Sequence, residues 1–421
     1  GHRRRGIASR IVERRAAGAG TLAAVLAVLG PGLLAGLSDD DPAGLTTYSL
    51  LGTDHGYRLL WVITLSVVLL VQFQLMAVRL GATSGKGFVA LVRARWGVAS
   101  GWCAAIALVV ANFGTICAEY AGVAAAGELA GIPATVSVPI AGVLIASVVV
   151  LGSFHRVEHI LLLLSATLAL YLIDGVLAAP DWGAVAVGAL VPRPPLTAAG
   201  WTAVAATIGT TLAPWGLAFI QSYAVDKRIT VASLRIERWE VVVGAMLTGL
   251  IGLAVAVACA ATLHARGVHI ASAADAALAL QPLAGRFATV LFGAGLLGAA
   301  LLAAAIVPLA TAYSVAEAAA VPASLDLDGR RFHWFYVVFL GLTLGAVLLV
   351  MVPGVPLIPL IVGSQVVNAV LLPLHLVALQ LLAQDPRSAA AGVPPIATRA
   401  GWVSIAFVVT CLAAMAWGAR P

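Results

Sequence analysis

Long apolar runs separated by short polar connections make up nearly the whole chain. Eleven are long enough to cross a membrane as helices: 18–52, 58–79, 98–127, 133–152, 159–179, 200–224, 239–264, 286–318, 333–352, 357–383 and 400–419. A hydrocarbon core of about 30 Å needs roughly 20 apolar residues of helix. Inside lipid each backbone N–H and C=O must find a protein partner, which helices provide and open sheets do not. The pattern predicts an all-α polytopic membrane protein. Its single transmembrane domain runs over 18–421, behind a cytoplasmic tail at 1–17.

The first and sixth runs are interrupted. Ser38-Asp39-Asp40-Asp41-Pro42-Ala43-Gly44 puts three carboxylates and a helix breaker between Thr21–Leu37 and Leu45–Gly52, both free of charge. An aspartate at membrane depth costs roughly 2.5–3.5 kcal/mol on insertion scales. Three of them beside a Pro and a Gly predict a break whose carboxylates and freed backbone face a wet cavity, as in a cation pathway. Ala213-Pro214-Trp215-Gly216 interrupts the sixth run with the same x-Pro-x-Gly spacing as Asp41-Pro42-Ala43-Gly44. The breaks are offset by five runs, an odd number, so the halves 18–180 and 198–384 cross the membrane in opposite senses. This is an inverted 5+5 repeat, with 398–419 as an extra eleventh helix. Broken helices at corresponding positions point to a transporter's binding site. Two ordinary proline kinks are the plain alternative, and the aspartates weigh against it.

Composition removes the soluble classes. The chain is 62% hydrophobic and 10% charged, with a mean hydropathy of +1.04, whereas ordinary globular proteins carry about 25% charged residues. The net charge of +6 is no nucleic-acid footprint, because the basic residues sit in short connections. Nineteen of the 24 fall in the N-tail, 79–95, 156, 227–238, 330–331, Arg387 and Arg399; only Arg58, Arg193, Arg266, Arg286 and Arg420 fall on the other side. Positive charge marks the cytoplasmic side. The N-terminus is therefore expected inside and the C-terminus outside, in the plasma (inner) membrane of a cell whose Ala-, Gly- and Arg-rich composition suggests a bacterium. The arginines before Thr21 imitate a signal peptide, but no small-residue cleavage pattern follows, so the first helix is expected to be retained. Cys103, Cys117, Cys259 and Cys411 lie in apolar runs with no Cys-x-x-Cys pair, as buried small hydrophobes do.

At the two breaks the chain resembles the NRAMP family of divalent-metal transporters, which have the LeuT-type fold. The family's first helix carries Asp-Pro-Gly-Asn, matched here by Asp41-Pro42-Ala43-Gly44. Its sixth carries Met-Pro-His, matched by Ala213-Pro214-Trp215 after Gly209-Thr210-Thr211-Leu212. Gly56-Tyr57-Arg58-Leu59-Leu60-Trp61-Val62, Ala118-Glu119 and Ser364-Gln365-Val366-Val367 agree as well, so the likeness covers nearly the whole chain. It implies that Asp41 takes the place of the metal-binding aspartate, with backbone carbonyls of Ser38, Thr210 and Ala213 as further ligands or water acceptors.

The departures bear on the ion. Gly44 replaces an amide ligand and Ala213 a thioether. Thioethers select softer metals, whereas oxygen and water suit Mg²⁺, Ca²⁺ and Mn²⁺. Mg²⁺ sheds water reluctantly and is usually held through one or two carboxylates plus retained waters. The resemblance narrows to the family's magnesium-transporting branch. Ile116 and Trp215 stand at the family's proton-pathway positions, and Glu119 is retained, so weak or absent proton coupling is expected. A divalent ion crossing 100 mV gains about 4.6 kcal/mol, from about 2.3 per charge, which is drive enough.

Other residues are less decisive. Asp39 and Asp40 either line the way in, raising local cation concentration, or cap the second half-helix. Glu119 is expected to face the cavity, with a structural carboxylate as the plain alternative. Gln365 and Asn368, one turn apart, either bind hydration waters or glue helices together. Asp174 either lines an outer vestibule or is structural, and Glu317 is expected to be solvated near the cytoplasmic end. Trp215 either packs over the cavity as a gate or fills the space of the lost imidazole, and filling is expected. The histidines form no ligand cluster, and His155/His159 lie beside Arg156 and Glu158 at a membrane edge. Gly81–Gly87 imitates a phosphate loop without its spacing and reads as a cytoplasmic turn.

The expected function is a secondary transporter for hydrated Mg²⁺, and Mn²⁺ beside it, working by alternating access. The metal-site residues are Asp41, Ser38, Gly44, Thr210, Ala213, Glu119, Gln365 and Asp40. No cofactor, nucleic acid or obligate protein partner is expected, only the ion and the bilayer. A proton-coupled Mn²⁺/Fe²⁺ carrier is the alternative within the family, and a divalent-cation channel the alternative from another class.

Overall fold

The computed structural model describes residues 41–150, 170–226, 229, 234–271, 273–277, 285–321, 333–386 and 395–418. The predicted half-helix 21–37, with Ser38, Asp39 and Asp40, lies outside the described residues, as do His155, His159 and most of the fifth run. Among the described residues the structure is helical, without strands.

Helix α1 (Pro42–His55) is the second half of the broken first run. α2 (Leu60–Ser84) follows, then α3 (Phe88–Trp96), α4 (Val98–Leu129), α5 (Ala134–Val150), α6 (Tyr171–Leu177) and α7 (Trp182–Leu190). The second half holds α8 (Ala198–Thr211), α9 (Pro214–Asp226), α10 (Leu234–Thr262), α11 (Ala288–Ala319), α12 (His333–Val350), α13 (Leu357–Gln384) and α14 (Pro395–Gly418). The sixth run is broken where predicted, between α8 and α9. Three helices were not expected: α3 inside the 79–95 connection, α7 after the fifth run, and the five-residue Ala273–Ala277 between the seventh and eighth runs.

Local chemistry sets the boundaries. Asp41 caps α1 with Pro42 at the first helical position, where its missing N–H costs nothing. Gly85 ends α2 in the left-handed conformation. α3 buries Phe88, Val89, Leu91 and Val92 and turns Arg95 and Trp96 outward, an interfacial pattern.

The helices pack on small residues. α4 lies along α11, whose buried stretch Ala299–Ala305 is mostly alanine, and α8 lies along α13. Small side chains let membrane helices approach closely. At Gly122 of α4 a Cβ would strike the ring of Pro42, and at Gly209 of α8 it would strike the Gln365 carbonyl of α13. These two approaches bring both breaks against α4 and α13.

Candidate functional site

The start of α1 is the first element of the site. Asp41 is buried, and its Oδ1 accepts a hydrogen bond from the Gly44 N–H at 2.6 Å. One carboxylate oxygen is thus committed to the helix end. Oδ2 is not bound by that cap. Gly44 brings no side chain, but its N–H orients the charge.

The end of α8 is the second element. Pro214 has no N–H, so the Thr210 carbonyl has no i+4 donor. Leu212 N–H still reaches the Ile208 carbonyl at 2.9 Å, and Gly216 N–H reaches the Ala213 carbonyl at 3.0 Å. Tyr48 on α1 bonds Thr211 on α8 at 2.8 Å between hydroxyls, tying the two breaks together.

α4 supplies the third. Glu119 is fully buried and faces Asp41. Among the described residues neither of its oxygens accepts a hydrogen bond. Two carboxyl groups sharing one dehydrated space repel each other unless a cation or a proton stands between them. One turn below Glu119, a polar line crosses three helices. Gln365 Nε2 donates to Ser364 Oγ at 2.8 Å; Asn368 Nδ2 donates to Gln365 Oε1 at 3.0 Å and to Thr115 Oγ1 at 2.9 Å; Asn112 Nδ2 donates to Thr311 Oγ1 at 2.8 Å. The carbonyl oxygens of Asn112 and Asn368 are buried without a donor among the described residues.

Beside α1 lies a cavity of about 220 Å³, lined by Leu45, Ser49, Gly122 and Ile361, with the exposed Glu128 among its walls. It sits between α1, α4, α11 and α13 and reaches Gly122, which packs against Pro42.

Over residues 32–418 the sequence matches the family described as natural resistance-associated macrophage protein-like, Nramp. The chain belongs to the Nramp family. A divalent metal cation transporter MntH of Burkholderia ambifaria is 30% identical over 68% of this chain and 66% of its own length. The MntH of Deinococcus radiodurans is 31% identical over 64% of each chain. The Nramp chain thus spans just under two thirds of these relatives. Among solved structures, the Eremococcus coleocola manganese transporter in complex with an aromatic bis-isothiourea substituted compound superposes with a TM-score of 0.76. That likeness has 20% identity and covers 96% of this chain and 90% of the other. Mhp1, a nucleobase-cation-symport-1 family transporter, superposes at 0.56 with 13% identity over 92% of each. These two likenesses show the fold, a LeuT-type helical membrane architecture.

Within this Nramp chain, six of the eight predicted site residues are described, and the structure gathers them at the two breaks and their α4 and α13 neighbours. Asp41, Gly44, Thr210, Ala213, Glu119 and Gln365 are all buried; Ser38 and Asp40 lie outside the described residues. Ile116 and Trp215 are buried in an apolar cluster with Ala300 and Ala303, and the Trp215 indole N–H has no partner among the described residues.

One expectation needs correction, and two open alternatives narrow. The start of α1 is capped by Asp41 itself; capping was one of two readings of Asp39 and Asp40, which lie outside the described residues. Glu317 is not a solvated carboxylate: it accepts Ala90 N–H at 3.1 Å, capping α3, and Ser222 Oγ–H of α9 at 2.9 Å. The charge is drawn in because α3 begins there and leaves its first N–H groups without partners. Asp174, left open between a vestibule wall and a structural role, is fully buried near Cys259 and is not among the residues lining the cavity beside Gly122. Sequence reasoning also missed Thr115, Asn112 and Thr311. The spacing 112, 115, 119 on one helical run was the signal that would have found the first two.

Proposed function

We propose that this chain carries hydrated divalent cations across a membrane by alternating access, with Mn²⁺ as cargo and Mg²⁺ admitted beside it. The observation that carries the reading is a set of buried oxygen acceptors that have no donor among the described residues, both Glu119 oxygens and the amide oxygens of Asn112 and Asn368, close to the buried carboxylate of Asp41 and the Thr210 carbonyl. Buried acceptors need donors or a cation. A metal ion with its water shell supplies both, positive charge to the carboxylates and O–H groups to the amides.

Mn²⁺ stands first because the relatives' names support it. The donor set supports Mg²⁺ as well, since Gly44 and Ala213 leave oxygen as the only ligand type and leave room for retained water. The broken helices favour a carrier over a channel. Ile116 and Trp215, neither titratable, support weak proton coupling; the facing carboxyls of Asp41 and Glu119 support the second reading, in which a proton replaces the ion between them. We place the protein in a bacterial plasma membrane with its Lys- and Arg-rich face inside.

Flux into proteoliposomes with Mn²⁺, Mg²⁺, Ca²⁺ or Fe²⁺, with internal pH followed, tests these points together. Saturable Mn²⁺ and Mg²⁺ uptake driven by membrane potential, without acidification, is the expected result. Acidification that tracks metal entry establishes the proton-coupled reading. Fe²⁺ uptake with Mg²⁺ excluded overturns the oxygen-only, hydrated site.

A further inference from the structure

A second cavity, of about 540 Å³, lies apart from the carboxyl pair, at the end of the molecule that carries Lys86, Arg93 and Arg95. It is walled by α3, the first half of α4 and the second half of α13, and it reaches Pro214 at the α8–α9 break. Its size falls within the roughly 300–1,000 Å³ of ligand clefts. The lining is apolar, with Val92, Ala107, Leu108 and Leu371 among it. Beside it Trp96, Trp102, Leu374 and Leu381 are exposed. In a membrane-spanning chain such an apolar rim faces lipid, and tryptophans mark the interfacial level.

Two buried polar atoms in this region lack partners among the described residues. His375 lines the cavity with its ring stacked on Phe88, centroids 3.8 Å apart, and its Nε2 is buried behind that wall. Arg93 Nε is the other; its side chain lies against Gly101, next to the lining residue Ser100. Buried polar atoms are rarely left without partners. Neighbouring Arg95 is engaged by Asp385, whereas Lys86 is exposed and adds positive field. From Phe88, which marks the level of His375, to Arg93 is five residues of helix, about 7.5 Å. That is comparable to the span from the phosphate to an ester carbonyl in a glycerophospholipid.

We propose that this cavity seats an anionic glycerophospholipid from the adjoining leaflet. The phosphate sits at Arg93, an ester carbonyl accepts from His375 Nε2, and an acyl chain fills the apolar space as far as Pro214. Because the chain end touches the break, lipid occupancy and the position of α9 are linked.

The test uses the full chain in phosphatidylcholine nanodiscs doped with phosphatidylglycerol bearing a photoactivatable acyl chain, against phosphatidylcholine carrying the same label. Adducts are mapped by peptide mass spectrometry. Phosphatidylglycerol adducts should fall on 88–96, 100–108 and 371–381. They should exceed phosphatidylcholine adducts about fivefold, the worth of one basic residue near a membrane surface. Arg93→Gln should remove the excess and Arg93→Lys retain most of it. Ala107→Phe, which fills the cavity and leaves every charge in place, should remove adducts of both lipids. Equal labelling by the two lipids overturns the proposal, as does an excess that survives both Arg93→Gln and Ala107→Phe. Should Arg93→Gln fail to fold, Ala107→Phe and His375→Leu decide by the same readout.

Discussion

At the start of α1 the helix end is closed by a carboxylate: Asp41 Oδ1 holds the Gly44 N–H, and the charge stays at the break. At the α8–α9 junction no side chain does this. Pro214 frees the Thr210 carbonyl, Ala213 contributes only backbone, and Trp215 turns into an apolar cluster. The x-Pro-x-Gly device is shared, yet one break supplies charge and the other supplies neutral oxygen. On the proposed function, a cation held between them should gain most of its binding from the first and most of its selectivity from the second.

The largest effect should come from the charged side. Asp41→Ala is expected to lower Mn²⁺ and Mg²⁺ flux by at least about a hundredfold, beyond the range seen when mere supporting residues of a metal site are lost. It also removes a cap worth about 1 kcal/mol. Asp41→Asn separates the two roles, because its amide oxygen still accepts from Gly44 while the charge is gone. Both variants should fold by thermal melt, Asp41→Asn closer to the parent, and neither should transport. Ordinary flux through folded Asp41→Ala would place the ion elsewhere.

Much of this asymmetry was legible in the sequence. Three carboxylates in an apolar run admit few explanations, because an unpaired charge in lipid is so costly. The two prolines likewise fix where the ladder of helix bonds must break. What escaped was what depends on facing helices. Nothing local says that Asn112 meets Thr311, or that Asn368 meets Thr115, 253 positions away. Glu317 was misread for the same reason: two residues from the helix end at Ala319 it looks solvated, and only the approach of α3 gives it the Ala90 N–H. α3 itself was hidden because nine residues with two arginines look like a connection until their apolar face finds α4.

The neutral side should respond more mildly, in ratio and not in rate. Ala213→Met adds a thioether beside the Thr210 carbonyl while Asp41 and Glu119 stay in place. The preference for a soft ion such as Cd²⁺ over Mg²⁺ should rise about tenfold, one contact's worth of roughly 1.4 kcal/mol, with Mn²⁺ flux largely kept. Competition of each ion against Mn²⁺ uptake measures this. An unchanged ratio would mean that residue 213 does not face the ion, and that selectivity lies with the charged break after all.

The smallest effect should arise far from both breaks, where α9 meets α3 and α11. Gln221 Nε2 donates to the Lys86 carbonyl at 3.1 Å, and Glu317 gathers Ala90 and Ser222. This junction fixes the end of α9 that lies away from both breaks, so it is expected to contribute to stability and to leave the proposed site's chemistry alone. Glu317→Gln keeps an acceptor for Ala90 N–H but loses the charge that favours a helix N-terminus, a cost of about 0.3–1 kcal/mol. The melting temperature should fall by roughly 2 °C, and Mn²⁺ affinity by calorimetry should stay unchanged. A large loss of affinity in Glu317→Gln would break the separation, because the second break would then owe its geometry to a carboxylate too, one placed at the opposite end of α9.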